Sequence, residues 1–288
     1  MERYNRRVIA KIAAESDIRF EFGKNWKNFL ALIDEQRISH AEESIRQALN
    51  VRDLKGKTFL DIGCGSGLFS LAAVRLGARV HSFDFDRFSV ESTQALKTKY
   101  GSASFPWVVE QGSVLDASYL DSLGTFDVVY SWGVLHHTGD MWKALEHAAQ
   151  SVKPGGQLFI AIYNDQSRAS RRWKAIKRFY SRSARPTQAL MLLTGLIYFQ
   201  TRFMAAQLLR ARNPFRFLEA SSADKKKRLR GMSAWHDLVD WIGGYPFEVA
   251  KPEEIFSFFK KKGFELTFHI ASGGSGCNEF VFHLRDRT

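Results

Sequence analysis

LDIGCGSG (60–67) decides how this 288-residue chain is read. The apolar run KTFLDIG (57–63) ends in a glycine, and glycines recur at 63, 65 and 67 before an apolar stretch of helical spacing, 68–77. A strand that turns at once into a helix over glycine brings backbone N–H groups close to a ligand with no β-carbon in the way. The pattern is acid-x-Gly-x-Gly-x-Gly with Asp61 inside the strand, not the Gly-x-Gly-x-x-Gly of nicotinamide-binding loops. Asp84, 23 residues after Asp61, ends the next apolar run, ARVHSFDFD (78–86). A carboxylate there can accept hydrogen bonds from two ribose hydroxyls.

Outward from the loop, short apolar runs alternate with helical ones. WVVEQGSVLD (107–116), FDVVYSW (126–132) and QLFIAIYN (157–164) read as strands, 87–99 and 138–152 as helices, and PGG (154–156) as a turn. Strands without polar alternation, separated by helices, imply a parallel sheet covered on both faces. The alternation stops near 165 and resumes with a helix at 252–262. Two strands follow, FELTFHIA (264–271) and EFVFHLR (279–285), joined by GGSG (273–276) closely enough to pair antiparallel. Residues 1–50 carry helical spacing throughout, for example in Trp26, Phe29, Leu30 and Ile33 and in Ala41, Ile45, Ala48 and Leu49. The expected parts are a helical lid, 1–56, a core, 57–164 and 250–288, and a helical insertion, 165–249.

Composition narrows the class. At 45% hydrophobic and 25% charged the chain is ordinary globular protein, long enough to bury a core without staples. Two cysteines, Cys64 and Cys277, exclude a disulfide framework and a four-cysteine zinc site. The charged start MERYNRRVIAKIAAESD has no apolar signal region, so a cytoplasmic location is expected. The net charge of +12 sits in one place: residues 165–230 hold 17 basic and three acidic residues, leaving 25 and 27 elsewhere. Such a segment faces something anionic beside a nearly neutral body.

In order and spacing, LDIGCGSG (60–67), SFDFD (82–86), FDVVYSWGVLHH (126–137) and VKPGGQLFIAIYN (152–164) resemble the class I S-adenosylmethionine-dependent methyltransferases. The resemblance covers roughly 57–164, with 264–285 completing the family's sheet. It implies an α/β fold: a doubly wound, mostly parallel, seven-stranded Rossmann-like sheet with a helical cap insertion. It also implies S-adenosyl-L-methionine as cofactor and S-adenosyl-L-homocysteine as product. By the same resemblance Asp61, Gly63, Cys64, Gly65 and Gly67 would cradle the methionine part, Asp84 would hold the ribose, and Phe85 would lie beside the adenine. Ser131 and Trp132 would line the sulfonium end. Where the family often has an acid for the adenine amino group, GSVLD (112–116) has Ser113, leaving the Ser113 hydroxyl, the Val114 backbone or Asp116 for that contact. FGKNW (22–26) resembles an aromatic lid helix, with Trp26 over the cofactor; packing explains Phe22 and Trp26 equally well.

Transfer from a sulfonium needs in-line positioning and removal of a proton from the acceptor. His136 and His137 follow strand four at the carboxyl edge of the sheet, His137 as a candidate base and His136 as a candidate substrate contact, with packing as the alternative for both. Tyr163, ending strand five, joins them as a candidate catalytic residue.

The insertion begins with basic and aromatic residues, RRWKAIKRFYSRSAR (171–185), and continues as an apolar helix, 187–210. Its 16 uncharged residues, 186–201, fall short of the ~20 that span a bilayer. Three readings stand: a substrate-covering cap, an interfacial helix at a lipid surface with Leu192, Leu196, Phe199 and Phe203 on one face, or an RNA-binding surface. Next, Trp235, His236, Asp237, Trp241, Tyr245 and Glu248 offer a wall for a substrate pocket. Nothing there supplies a recognised metal-ligand spacing, and no metal is expected. The leading function is methyl transfer to a small-molecule acceptor, anionic or lipophilic, by O-methylation, with peripheral membrane contact a further expectation. The alternative is a tRNA-modifying methyltransferase working through the basic insertion. A non-catalytic cofactor binder is disfavoured by the intact glycines and Asp84. Neither the acceptor nor the oligomeric state follows from the sequence.

Overall fold

The computed structural model describes Phe20 and residues 33–100, 106–213, 234–274 and 276–286. Trp26 and Phe22 lie outside the described residues, as does most of the expected lid. Strands β1 (Thr58–Ile62), β2 (Arg79–Asp84), β3 (Trp107–Gln111), β4 (Phe126–Trp132), β5 (Val152–Tyr163), β6 (Phe264–Ile270) and β7 (Cys277–Leu284) form one sheet in the order β3-β2-β1-β4-β5-β7-β6. All neighbours from β3 to β5 are parallel, whereas β7 runs antiparallel to both β5 and β6. The expected mostly parallel, seven-stranded α/β sheet is present.

The strands look as they do because both faces are covered. β1 and β4 bury nearly every residue, and Leu60, Ile62, Val129, Leu158, Ile160, Phe280 and Phe282 join helix residues such as Leu145 and Phe259 in one core. Helices α1 (Glu35–Leu49), α2 (Leu68–Arg75), α3 (Arg87–Tyr100), α4 (Ala117–Leu123), α5 (Met141–Gln150) and, after the insertion, a helix at Pro252–Lys260 supply the cover. Asp34 caps α1 by accepting from the Arg37 N–H at 2.9 Å, and Arg75 of α2 pairs with Glu35 at 2.6 Å.

PGG (154–156) is not a turn ahead of the strand; it lies inside β5. Phe126 pairs with Val152 and Val128 with Gln157, so β4 advances two residues while β5 advances five. The excess bulges at the glycines, where a β-carbon on Gly156 would stand 2.8 Å from the Lys153 carbonyl.

The described residues gather into two compact units, one of 33–172 and 246–286, the other of 173–245 with Phe20. The second unit contains α6 from Trp173 onward (helix Arg168–Arg182), α7 (Arg185–Leu209) and α8 (Ala234–Gly243). Its own small core joins Tyr180, Leu238 and Ile242 to Phe20, Met191, Leu192, Phe199 and Trp241. Lys177 is fully buried there; its Nζ donates to the Trp241 carbonyl and lies 4.6 Å from that residue's ring centre. Burial brings the Lys177 pKa down to about 7.

Candidate active site at the carboxyl edge of the sheet

The strand order reverses between β1 and β4, and in open α/β sheets ligands sit at the carboxyl ends of strands flanking that point. Here the β1–α2 loop is folded against β2: the N–H groups of Gly63 and Cys64 donate to the Phe83 carbonyl at 2.8 and 3.1 Å. Gly63 and Gly67 both have positive φ, +78° and +79°. A β-carbon at Gly63 would land on the Val134 isopropyl group, and one at Gly67 would come within 2.8 Å of Thr93. Thr93 also donates to the Gly65 carbonyl at 3.2 Å and to the Cys64 sulfur at 3.3 Å, fastening the loop to α3.

Two carboxylates hold the loop in different ways. Asp61 is 2% exposed and accepts from the Ser70 hydroxyl. Ser70 and Ser82 oxygens lie 2.7 Å apart, and the Trp107 indole donates to Ser82 at 2.8 Å. A buried run of hydroxyls thus connects three strands to α2. Burial pushes Asp61 up to about 7, the Ser70 hydrogen bond opposing it and the Asp84 charge adding to it. Asp84 accepts from the Gly65 N–H at 3.0 Å and from the Asp86 N–H at 2.9 Å. Burial raises Asp84 to about 6, against the pull of those two donors. Each oxygen keeps further lone-pair capacity, so the carboxylate can still receive hydroxyl donors. Phe85, next along, is 55% exposed although aromatic.

Several of the expected cofactor residues also hold the scaffold together. Ser131 is fully buried and donates to the Ile62 carbonyl at 3.0 Å, tying β4 to β1. Trp132 beside it is 39% exposed. The Ser113 hydroxyl accepts from the Leu115 N–H at 3.2 Å, Asp116 caps α4 through the Tyr119 N–H, and the Val114 carbonyl pairs with His147 Nδ1 at 2.7 Å.

Past β4 the chain makes a short 3-10 turn, Leu135–His137. His137 Nδ1 lies 2.6 Å from the Pro246 carbonyl. A carbonyl only accepts, so Nδ1 bears the proton and in the neutral ring Nε2 carries the lone pair. Tyr163 meets the His137 ring edge-on at 5.6 Å and the Phe247 ring at 5.4 Å. His136, expected to touch substrate, is fully buried: its ring lies 4.4 Å from that of His137 and 4.2 Å from that of Tyr163. Its carbonyl accepts from the Glu248 N–H at 3.0 Å. The structure packs the buried His136 ring against both His137 and Tyr163.

Glu248 belongs to this same unit, and its carboxylate accepts from the Met141 N–H at 2.9 Å, at the start of α5. Residues 234–243 form helix α8, whose apolar Leu238 and Ile242 share a face that this unit's own core buries. Trp241 packs edge-on against Trp173 at 5.4 Å, and Tyr245 is 4% exposed. The side chains of Trp235, His236 and Asp237 lie outside the described residues. Val134, Thr93, Ser70, Ser82, Pro246 and Phe247 all shape the site, and sequence reasoning misses each of them. Small and apolar residues give no chemical signal there; only the tertiary approach does.

A sheet of this order with a glycine loop and two acids at its carboxyl edge defines a class I S-adenosylmethionine-dependent methyltransferase fold. Residues 33–213 match the family model described as a methyltransferase domain, and the chain belongs to that family. Among curated relatives it is similar to the ubiquinone biosynthesis O-methyltransferases of Parvibaculum lavamentivorans, 36% identical over 141 residues (47% of this chain, 50% of that protein), and Caulobacter vibrioides, 31% over 141 residues (47% and 51%). The chain thus spans about half the length of the curated relatives it matches. Among solved structures it resembles magnesium protoporphyrin IX methyltransferase from Synechocystis PCC 6803 with bound SAH, TM-score 0.51, 13% identity, covering 86% and 83% of the two chains. The [4+2]-cyclase SpnF gives TM-score 0.51 at 11% identity, covering 85% and 80%. That pair shows one fold under two chemistries, so activity has to be argued from the site. The tRNA reading gains no support from these relatives, whose names point to small-molecule O-methylation.

Proposed function

We propose that the protein transfers a methyl group from S-adenosylmethionine to an oxygen of a small, lipophilic or anionic acceptor, with His137 as general base. The observation that carries the reading is the fixed His137 ring: Nδ1 is committed to the Pro246 carbonyl, so Nε2 is the basic atom, beside Tyr163 at the end of β5. The relatives named for O-methylation make oxygen the atom to test.

The cradle fits the cofactor. Gly63, Gly65 and Gly67, all at positive φ, keep alternate positions of the β1–α2 turn free of side chains, Asp84 ends β2 where ribose hydroxyls need acceptors, and Phe85 offers an exposed ring for the adenine. When bound, S-adenosylmethionine supplies a methyl already activated on a sulfonium. The protein's part is to orient and to move one proton. Asp84 and the loop would hold the donor, Trp132 and Tyr163 would bound the space beyond β4 and β5, and His137 Nε2 would take the acceptor's hydroxyl proton as the carbon–oxygen bond forms and the methyl–sulfur bond breaks, leaving S-adenosylhomocysteine. Tyr163 orients the acceptor through its hydroxyl, and its ring holds the His137 ring in place.

Calorimetry with S-adenosylhomocysteine, followed by transfer of labelled methyl to a panel of phenols and carboxylic acids, tests this. Expected are micromolar-range binding, weakened by about 2–4 kcal/mol in Asp84→Ala, and label on oxygen. Binding of a nicotinamide dinucleotide in place of S-adenosylhomocysteine overturns the reading.

A further inference from the structure

Helix α7 uses one face and leaves the other in solvent. Leu192 and Phe199 pack into the cap's core with Leu238 and Ile242, and Gly195 brings the backbone so close that a β-carbon would strike Ile242. Helical spacing puts Leu192, Leu196, Phe199 and Phe203 together on a lipid-facing side; the structure turns Leu192 and Phe199 inward onto α8. The exposed stripe is another one. Leu190, Leu193, Ile197 and Leu208 are 61, 54, 54 and 62% exposed, and their spacing places them along a single line of the helix.

Two hydroxyls border that stripe, and both turn back to the helix. Thr194 donates to the Leu190 carbonyl at 3.0 Å and Thr201 to the Ile197 carbonyl at 2.9 Å. Their hydrogen-bonding is met without water, which lets the face enter an apolar medium at little cost. Cations stand at its margins: Arg185 at the start, Arg202 within, and Arg210 and Arg212 past the end, all exposed. The preceding helix α6 also leaves Ile176 and Phe179 exposed, 39 and 59%, among its own basic residues.

We propose that this stripe docks the protein peripherally on an anionic lipid surface. Apolar side chains ringed by arginine match the acyl–headgroup boundary, where each cation near the surface adds attraction. Crossing the bilayer is the poorer use. By length and composition alone the 25 residues of α7 are long and apolar enough to cross, but the uncharged run 186–201 gives only about 24 Å of helix against about 30 Å of hydrocarbon, so crossing would draw an arginine into it. Spanning would also strip the inner face from α8.

The test is co-sedimentation of the full chain with phosphatidylglycerol–phosphatidylcholine vesicles and with phosphatidylcholine alone, at low and high salt. It needs no turnover, so its failure is separable from failure of the methyltransferase reading. Expected is binding to anionic vesicles, at least about ten-fold weaker on neutral ones and falling with salt. The double variant Leu193→Glu/Ile197→Glu should lose that binding by at least about ten-fold, with unchanged melting temperature and S-adenosylhomocysteine affinity. As a second variant, Leu190→Gln/Leu208→Gln adds no charge and should lose it too. Undiminished binding by both variants, or no binding to anionic vesicles, overturns the proposal. So does tighter binding of tRNA than of vesicles, or a dimer in solution that Leu193→Glu/Ile197→Glu dissociates.

Discussion

His137 and Asp61 show how much a single residue's role depends on what lies next to it. His137 is one of two adjacent histidines, read in sequence as candidate base and candidate substrate contact, and a single carbonyl separates them. The Pro246 oxygen fixes the His137 tautomer, while His136 is sealed beneath the ring of its neighbour. His137→Ala should therefore lower kcat about 10²-fold and leave S-adenosylhomocysteine affinity nearly unchanged. A normal kcat with a lowered melting temperature would make the ring structural. Asp61 is legible in the sequence as the acid before the glycines, yet its partners Ser70, Ser82 and Trp107 come from three other elements. Its pKa is about 7 in the fold against an ordinary 3.8, so the native state holds the Asp61 proton more tightly than the unfolded chain does. Stability from this group is full below about pH 4 and is lost as pH rises to about 7. Asp61→Asn keeps an acceptor for Ser70 and should raise stability more at pH 7.5 than at pH 5, by on the order of 2–4 kcal/mol between the two. Chemical denaturation at both pH values reads the difference. Asp84, raised to about 6, shares the window, so the wild-type slope alone would not isolate Asp61.

At the level of elements, a pair of helix positions decides between structural and substrate-facing roles. Glu248 reads in sequence as part of a pocket wall, but its carboxylate caps the N-terminus of α5 at the Met141 N–H, where negative charge also meets the helix dipole. Glu248→Ala should cost about 0.5–2 kcal/mol in thermal unfolding. A raised KM with unchanged stability would restore the pocket role. In α6, Lys177 is the opposite case, a charge type buried where the sequence shows only another basic residue in a basic run. Its folded pKa, about 7, lies below the ordinary 10.5, so the fold favours the neutral amine. Stability from Lys177 is present above about pH 10.5 and is lost as pH falls toward 7, where it levels off. Lys177→Met should accordingly stabilise the protein at pH 7 relative to wild type, by about 1–3 kcal/mol, and less at pH 9.5. Thermal melts at the two pH values check it; equal effects at both would mean the amine is already charged at pH 7. The bulge in β5 belongs to this scale too, since a register offset between two strands leaves no trace in either strand's own composition.

For the molecule as a whole, what the chain's own residues specified was the order of its parts. Short unbroken apolar runs, helices between them and a glycine loop after the first strand dictate a covered parallel sheet. Burial on both faces removes polar alternation, and a strand-to-helix turn needs positive φ; both requirements are local and are written into the residues that meet them. The charge asymmetry between 165–230 and the rest is equally plain, because counting needs no coordinates. Tertiary structure decided which side chains remain available for chemistry. Ser131 and Glu248 both read in sequence as contacts for a bound molecule, and each is engaged by a backbone group distant in the chain that only folding brings within 3.0 Å. The same holds for α7. Periodicity defines a helix with an apolar face, but its residues are apolar nearly all round, so the sequence could not say which face is buried. Gly195 against Ile242 settles that, since the one position without a side chain is where α8 can approach closest, and the stripe opposite is left to meet something else.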